Sequence, residues 1–253
     1  GGDSGDGSGG GDLTIGVRYD QPGLGLRSDE AVHTGFDIDV ATYIAGELGV
    51  AAEDIDWTEA PAADRETLLA RGEVDFVVAT YQITDAREAE VDFAGPYFAA
   101  RQDLLIREHE EIADAGALDG RKLCSVPGST AAETVRQQFA PGVVIMELAT
   151  YPECLTALSD GAVDAVTTDD CILAGYAAQD EYRGRFRLAG LEMGREYLYG
   201  VGVPEGETAL RDDIDLAIGR MIADGSWAAA VEENFGGVED YDPQPPPEAA
   251  TTG

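Results

Sequence analysis

Apolar and polar positions along this chain fall into two alternating periods. "LTIGVR" (13–18) is a short apolar run and predicts a strand. "DIDVATYIAGELG" (37–49) places Val40, Ile44 and Leu48 on one helical face and meets a stop at Gly49. "DIDWTEA" then predicts a strand, "ADRETLLARG" a helix and "VDFVVAT" a strand. The alternation resumes with "RKLCSV" as strand, "STAAETVRQQF" as helix, "GVVIMEL" as strand, "PECLTALSDG" as helix, "VDAVTTD" as strand and "CILAGYAAQD" as helix. Thr130 followed by Glu133 matches a capping box. "ETALRDDIDLAIGRMIADG" (207–225) predicts a long amphipathic helix with Leu210, Ile214, Ile218 and Met221 inward. Strands alternating with helices argue an α/β protein with mainly parallel sheets.

The pattern also echoes itself. "LLARGEVDFVVAT" (68–80) and "LTALSDGAVDAVTTD" (155–169) align so that Gly72, Val74 and Asp75 match Gly161, Val163 and Asp164, a spacing of 89 residues. That spacing is too long for a solenoid repeat and suits two similar lobes. In this register Thr80 corresponds to Asp169, each just past the carboxyl end of its strand, where open α/β sheets bind ligands. Two facing lobes would set Thr80 and Asp169 on opposite walls of one cleft.

At the ends the periodicity stops. Residues 1–11, GGDSGDGSGGG, have the composition of a flexible linker, of the kind that tethers a folded body. They carry no signal-peptide pattern. Residues 238–253 read as a second low-order segment, which leaves a folded body over 12–237.

Composition narrows the partners. The chain has 253 residues, 44% of them apolar, with 50 acidic against 16 basic residues and a net charge of −34. Nucleic acid is excluded as a partner, because phosphate binding needs clustered Lys and Arg. The acids lie between strongly periodic apolar segments, so the charge coats a folded protein. Such a surface suits concentrated salt, which screens self-repulsion. No apolar run approaches the ~20 residues that span a bilayer.

Candidate chemistry is sparse. His33 and His109 stand in polar, loop-like contexts without metal-ligand spacing and read as surface residues. "GLGL" (23–26) lacks the rest of a dinucleotide fingerprint, and there is no G-x-S-x-G or Cys/His nucleophile pattern. No catalytic residue, cofactor or metal is expected. Cys124, Cys154 and Cys171 are too few for a disulfide scaffold; they fit three buried thiols, or one disulfide and one free thiol in an exported protein.

"VVATYQITDAREAEVDFAGPYF" (77–98) is the densest polar cluster, with Thr80, Gln82, Thr84 and Arg87 close together. Arg87 falls at the start of a short predicted helix, where free N–H groups and a guanidinium fork would receive a carboxylate. It reads equally as a solvated arginine offsetting Asp85 and Glu88. "VPGSTAAE" (126–133) offers the Ser129 and Thr130 amides at another helix start, or a simple N-cap. Asp169 and Asp170 fit a helix cap, and Asp169 also fits a cation holder. An arginine for a carboxylate on one lobe and a carboxylate on the other describe the two ends of an amino acid.

At these residues the chain resembles a known family. "GFDIDVATYIAGELG", "GEVDFVVATYQITDAREAEVDFAGPYF", "VPGST", "GAVDAVTTDD" and "LYGVGVPEG…IADGSW" resemble, in order, segments of the family 3 extracellular solute-binding proteins of ABC importers. "IGVRYDQPGLGL" and "APAADRETLLARGEVDF" are most similar to the glutamate-binding members of actinobacteria. The resemblance implies the two-lobed, type II periplasmic-binding-protein-like fold with two hinge strands. Lobe 1 would comprise 12–98 and 200–237, and lobe 2 would comprise 99–199 with the hinge strands at its edges; 238–253 would be a disordered tail. It implies that ligand closes the lobes by hinge motion.

It also implies roles. Arg87 would grip the ligand α-carboxylate with the Gln82 and Thr130 amides, and Asp169 would hold the α-ammonium with the Thr80 carbonyl. Arg18 and Arg65 fall where acidic-amino-acid binders place arginines that recognise the side chain. Tyr151, Ser129 and Thr168 complete the candidate ligand-binding set, although the resemblance itself does not assign Thr168. Cys124 would pair with Cys154, and a lipid-bearing cysteine would precede Gly1. The implied protein is a monomeric extracellular lipoprotein that delivers L-glutamate to an ABC permease and performs no chemistry. Glutamine or aspartate binding, a dehydratase on this fold, and a sensor domain are the rivals.

Overall fold

The computed structural model describes residues 12–238 and 241–248; the linker read over 1–11 lies outside them. The first part of the chain runs β1 (Leu13–Val17), β2 (Asp20–Gln21), β3 (Gly25–Arg27), β4 (His33–Thr34), α1 (Phe36–Glu47), β5 (Ile55–Glu59), α2 (Arg65–Ala70), β6 (Phe76–Val78), α3 (Asp85–Glu88) and β7 (Val91–Arg107). It continues through β8 (Lys122–Ser125), α4 (Ala131–Gln138), β9 (Val144–Glu147), α5 (Tyr151–Asp160), β10 (Ala165–Asp169), α6 (Asp170–Ala177) and β11 (Phe186–Leu188). β12 (Met193–Pro204), α7 (Thr208–Ala223) and α8 (Ser226–Phe235) follow.

The helices bury the faces their spacing dictates. Val40 and Ile44 of α1 and Ile214, Ile218 and Met221 of α7 are buried, while Leu48 and Leu210 pack against the same core from partly exposed positions. α5 starts at Thr150, whose side chain accepts from the Glu153 amide at 3.3 Å, while the Glu153 carboxylate accepts from the Ala149 amide at 3.0 Å. It ends at Gly161 in the left-handed region, φ 79°.

Nine strands form one sheet in the order β5-β1-β6-β12-β7-β10-β8-β9, with β11 added to β7. The sheet is mixed, which corrects the expectation of mainly parallel pairing. β5, β1 and β6 pair in parallel, as do β10, β8 and β9. Between these flanks, β12 runs antiparallel to β6 and β7, and β7 antiparallel to β10. The physical reason is topological. Each flank is built by crossovers that return the chain in parallel, whereas the 17-residue β7 and 12-residue β12 carry the chain between the flanks once in each direction. A separate small sheet, β2-β3-β4, sits off this path. The result is the two-lobed α/β architecture of the type II binding proteins.

The main core gathers Ile15, Phe36, Ile44, Phe98, Ile218, Trp227 and Phe235. A second cluster centres on Leu104, Leu118, Leu123 and Val135. Trp227 of α8 donates its Nε1 hydrogen to the Tyr97 carbonyl of β7 at 2.8 Å, tying the last helix to the central strand. Helix α8 had no sequence prediction, because "SWAAAVEENF" follows Gly225 directly and reads as the end of α7.

Several local expectations change. Thr130 heads α4, but its side chain caps nothing: its backbone is already helical (φ −98°, ψ −2°), which turns the hydroxyl away from the first-turn amides. Ser129 Oγ accepts from the Ala131 amide instead, at 3.3 Å. Asp169 occupies the N-cap of α6 without capping it, since its carboxylate is engaged by Tyr199. Asp170 Oδ1 takes the Cys171 amide at 2.8 Å. His33 is not a loop residue: it lies in β4, half-buried, with ring centroids 5.1 Å from Tyr19 and 5.4 Å from Trp57. Burial pushes its pKa down. Of the tail expected to be disordered, residues 241–248 form no helix or strand, yet Tyr241 packs edge-on against Phe235 with ring centroids 5.6 Å apart. Cys124 of β8 and Cys154 of α5 are joined by a disulfide, and Cys171 is a free, buried thiol.

Candidate functional site

The chain turns sharply where β6 ends. Thr80 adopts φ 44°, a left-handed conformation that a β-branched residue takes only when its surroundings impose it. Four groups impose it. The Thr80 amide donates to Asp37 Oδ2 at 2.8 Å, and its hydroxyl donates to the Ala79 carbonyl at 2.8 Å and lies 3.1 Å from Gln21 Oε1. Arg65 donates from Nη1 to the Ala79 carbonyl at 2.8 Å, with the Thr80 carbonyl at 3.5 Å. Asp37 also accepts from the Tyr97 hydroxyl at 2.7 Å. Burial pushes the Asp37 carboxyl up to about 6, against the pull of the Tyr97 and Thr80 hydrogen bonds.

Beside this corner two guanidinium groups lie over one ring. Arg65 sits 4.2 Å and Arg87 5.5 Å from the Tyr81 centroid. Arg65 is buried, and its pKa falls to about 10 through desolvation and then through Arg87, so it stays charged at neutral pH. Arg87 donates to the Gln82 carbonyl at 2.7 Å and pairs with Glu66 at 3.6 Å. The Arg87 amide is capped by Thr84 Oγ1 at 3.2 Å, so this amide of the short helix α3 is not a free donor for an anion. The reading of α3 as an amide cradle is corrected to that extent.

Asp169 stands at the end of β10 and accepts a hydrogen bond from the Tyr199 hydroxyl of β12. Tyr199 in turn lies 3.4 Å from the Cys171 sulfur. Burial raises the Asp169 pKa and the Tyr199 bond lowers it in part. Close by, the Tyr151 phenol interacts with the Thr168 and Ser129 hydroxyls.

Two cavities collect these side chains. The inner one, about 410 Å³, is lined by Gln82 from the β6 side, by Ser129, Thr130, Thr168 and Asp169 from the β8–β10 side, and by Arg195 of β12. The other, about 340 Å³, places Arg18 and Asp20 opposite Tyr151 and Tyr176. Seven of the candidate ligand residues therefore line a cavity. Thr80, Arg65 and Arg87 line neither and form the framework behind Gln82. The Arg18 fork is occupied by Asp20, through Nε at 3.1 Å and Nη2 at 3.2 Å.

Sequence reasoning missed Asp37, Tyr97, Gln102, Arg195, Tyr197 and Tyr199. Asp37 had a signal, a carboxylate inside the apolar start of α1. The rest lie on β7 and β12, whose strand character the polar triplets "RQD" and "GRE" conceal.

The arrangement offers a carboxylate, hydroxyls and amides to a small zwitterion. Among the described residues no group of three or more His, Cys, Asp or Glu could hold a metal ion. The profile of the bacterial extracellular solute-binding proteins, family 3, matches residues 13–237. A glutamate-binding protein of Corynebacterium efficiens is 45% identical, with 89% of this chain and 79% of the relative aligned. The glutamine-binding protein of the Bacillus subtilis ABC transporter is 34% identical over 85% of this chain and 78% of its own. An ancestral arginine-binding protein, solved bound to glutamine, superposes with a TM-score of 0.71 at 30% identity, covering 88% of this chain and 97% of that one. All three are named as binding proteins.

Proposed function

The chain belongs to the bacterial extracellular solute-binding proteins, family 3, and from that membership we propose that it captures L-glutamate and hands it to an ABC permease. The reading is carried by one observation: Gln82, Thr130 and Asp169, from opposite flanks of the sheet, line a single cavity. Asp169, with the Thr80 carbonyl, holds the ligand ammonium. The Gln82 and Thr130 amides receive the α-carboxylate, and closure of the lobes would bring it the Arg87 fork, here held on the Gln82 carbonyl and Glu66. Residues 12–98 with 200–237 form one lobe and 99–199 the other, and they close on the ligand about β7 and β12. The protein acts as a monomer at the outer face of the membrane, held by a lipid anchor, and catalyses nothing. The name of the Corynebacterium relative supports glutamate as the ligand.

A second reading, glutamine, draws on a specific observation. Arg18 is forked onto Asp20 through Nε and Nη2, so this arginine presents no unengaged fork to a ligand side chain, and Arg65 already commits Nη1 to the Ala79 carbonyl. Heat-shift screening with the twenty amino acids tests both. Glutamate should raise the melting temperature most; a larger rise with glutamine selects the second reading, and no rise with any amino acid rejects both.

A further inference from the structure

We propose that Arg195 is the specificity-determining cation of the cleft, pairing with the side-chain carboxylate of an acidic amino acid. This rests on reading the inner cavity as an amino-acid site.

Four observations converge. First, Arg195 is the single Lys or Arg among the described residues lining the inner cavity, which it shares with Gln82, Thr130 and Asp169. It also lines the adjoining outer cavity of about 230 Å³ beside Thr84 and Asp85. A long guanidinium arm there reaches the space where the ligand must lie.

Second, Arg195 has no carboxylate within ion-pair distance among the described residues, although the chain carries 50 acidic side chains. The acids nearest in sequence are taken: Arg101 pairs with Glu192 at 3.1 Å and with Glu196 at 3.8 Å. Asp85, on the outer cavity, makes no ion pair with it. Arg71 and Arg121 also make no ion pair among the described residues, but they line neither cavity, whereas Arg195 stands unpaired on the one that holds Asp169.

Third, the backbone is built to aim this residue. Met193 pairs with Gln102 and Tyr197 with Ala100, so four steps along β12 oppose two along β7. Gly194 at φ 71° allows the resulting bulge. Bulges re-aim side chains and recur beside functional sites. Arg195 is at the crest of this one.

Fourth, the proposed backbone contacts leave its charge free for the side chain. Asp169 is assigned to the ammonium, and Arg87, which pairs with Glu66 outside the cavity, to the α-carboxylate of any amino acid. Arg195 adds one further positive charge, the complement of a ligand whose side chain is anionic. A neutral side chain would leave that guanidinium unpaired.

The test is calorimetric titration of Arg195→Gln and Arg195→Lys with L-glutamate and L-glutamine. Arg195 is exposed, so both variants should melt as the unaltered protein does. Arg195→Gln should weaken glutamate by about 30-fold or more, the scale of removing one partner of a close charge pair, and glutamine by less than about 3-fold. Arg195→Lys should restore part of the glutamate affinity. Stopped-flow kinetics should place the loss in the dissociation rate. If both ligands weaken equally, or if only the salt-dependent association rate falls, Arg195 does not contact the ligand side chain and the assignment is overturned. If the unaltered protein binds neither amino acid, the reading of the cleft fails, and this assignment with it.

Discussion

Asp37 shows how one residue joins sequence to site. It interrupts the apolar face of α1, is fully buried, and takes both the Thr80 amide and the Tyr97 hydroxyl. Its pKa rises from 3.8 to about 6 because burial penalises the charged form. A carboxyl whose folded pKa is raised binds its proton more tightly when folded. Its contribution is therefore fully present below the unfolded value and is lost as pH rises through the folded one. Over that window the loss is about 3 kcal/mol at the usual 1.4 per unit. Asp37→Asn should accordingly flatten the decline of stability between about pH 4 and pH 6. Denaturant midpoints across that range decide the matter, with the slope as readout, because the lost hydrogen bond shifts the whole curve by a constant. Asp169 was legible in the sequence because it matches Thr80 in the internal echo. Asp37 left a signal, a carboxylate inside an apolar helix start, but its role was not legible, since its partners lie 43 and 60 positions away and no spacing rule reaches them. Arg65 was legible as a cation near the cleft, but its burial over Tyr81 depends on tertiary packing that no local pattern encodes.

Elements were legible where their periodicity was clean. The βαβ flanks followed from apolar runs and helical spacing, and their ends moved by a few residues through caps such as Thr150 and Gly161. The central strands were not legible from periodicity; only the resemblance implied them, as two hinge strands. β7 carries Gly95, Pro96 and the polar triplet Arg101–Asp103, and β12 is broken by its bulge, so both resemble loops until they pair with each other. Within the β10-β8-β9 flank, the disulfide fixes α5 against β8 across a sequence separation of 30. A loop of that length gives about 3–4 kcal/mol in the chain-entropy view. Cys124→Ser with Cys154→Ser should lose that much in urea unfolding, with glutamate affinity little changed, because neither cysteine lines a cavity. Retained stability in the double variant would show that packing of α5 suffices without the bond.

For the whole molecule, β7 and β12 together connect the two flanks, and the inner cavity lies between them. Ligand held from both sides should draw the flanks together by hinge motion. Small-angle scattering should show a smaller radius of gyration at saturating glutamate than without it; superimposable curves would rule out closure. The core that supports these strands draws on both ends of the chain. Phe36 and Ile44 share their cluster with Ile218, Trp227 and Phe235, so the first strands and α1 lack their cover until the last two helices exist. Synthesis proceeds from the N-terminus at about 5–20 residues per second. Throughout that time the earliest segments stay incompletely packed, whereas β8 to β11 find their neighbours within a short stretch of sequence. A core so discontinuous leaves the first segments of a nascent chain without their final cover until α7 and α8 have been made, so the half of the fold begun first is the half completed last.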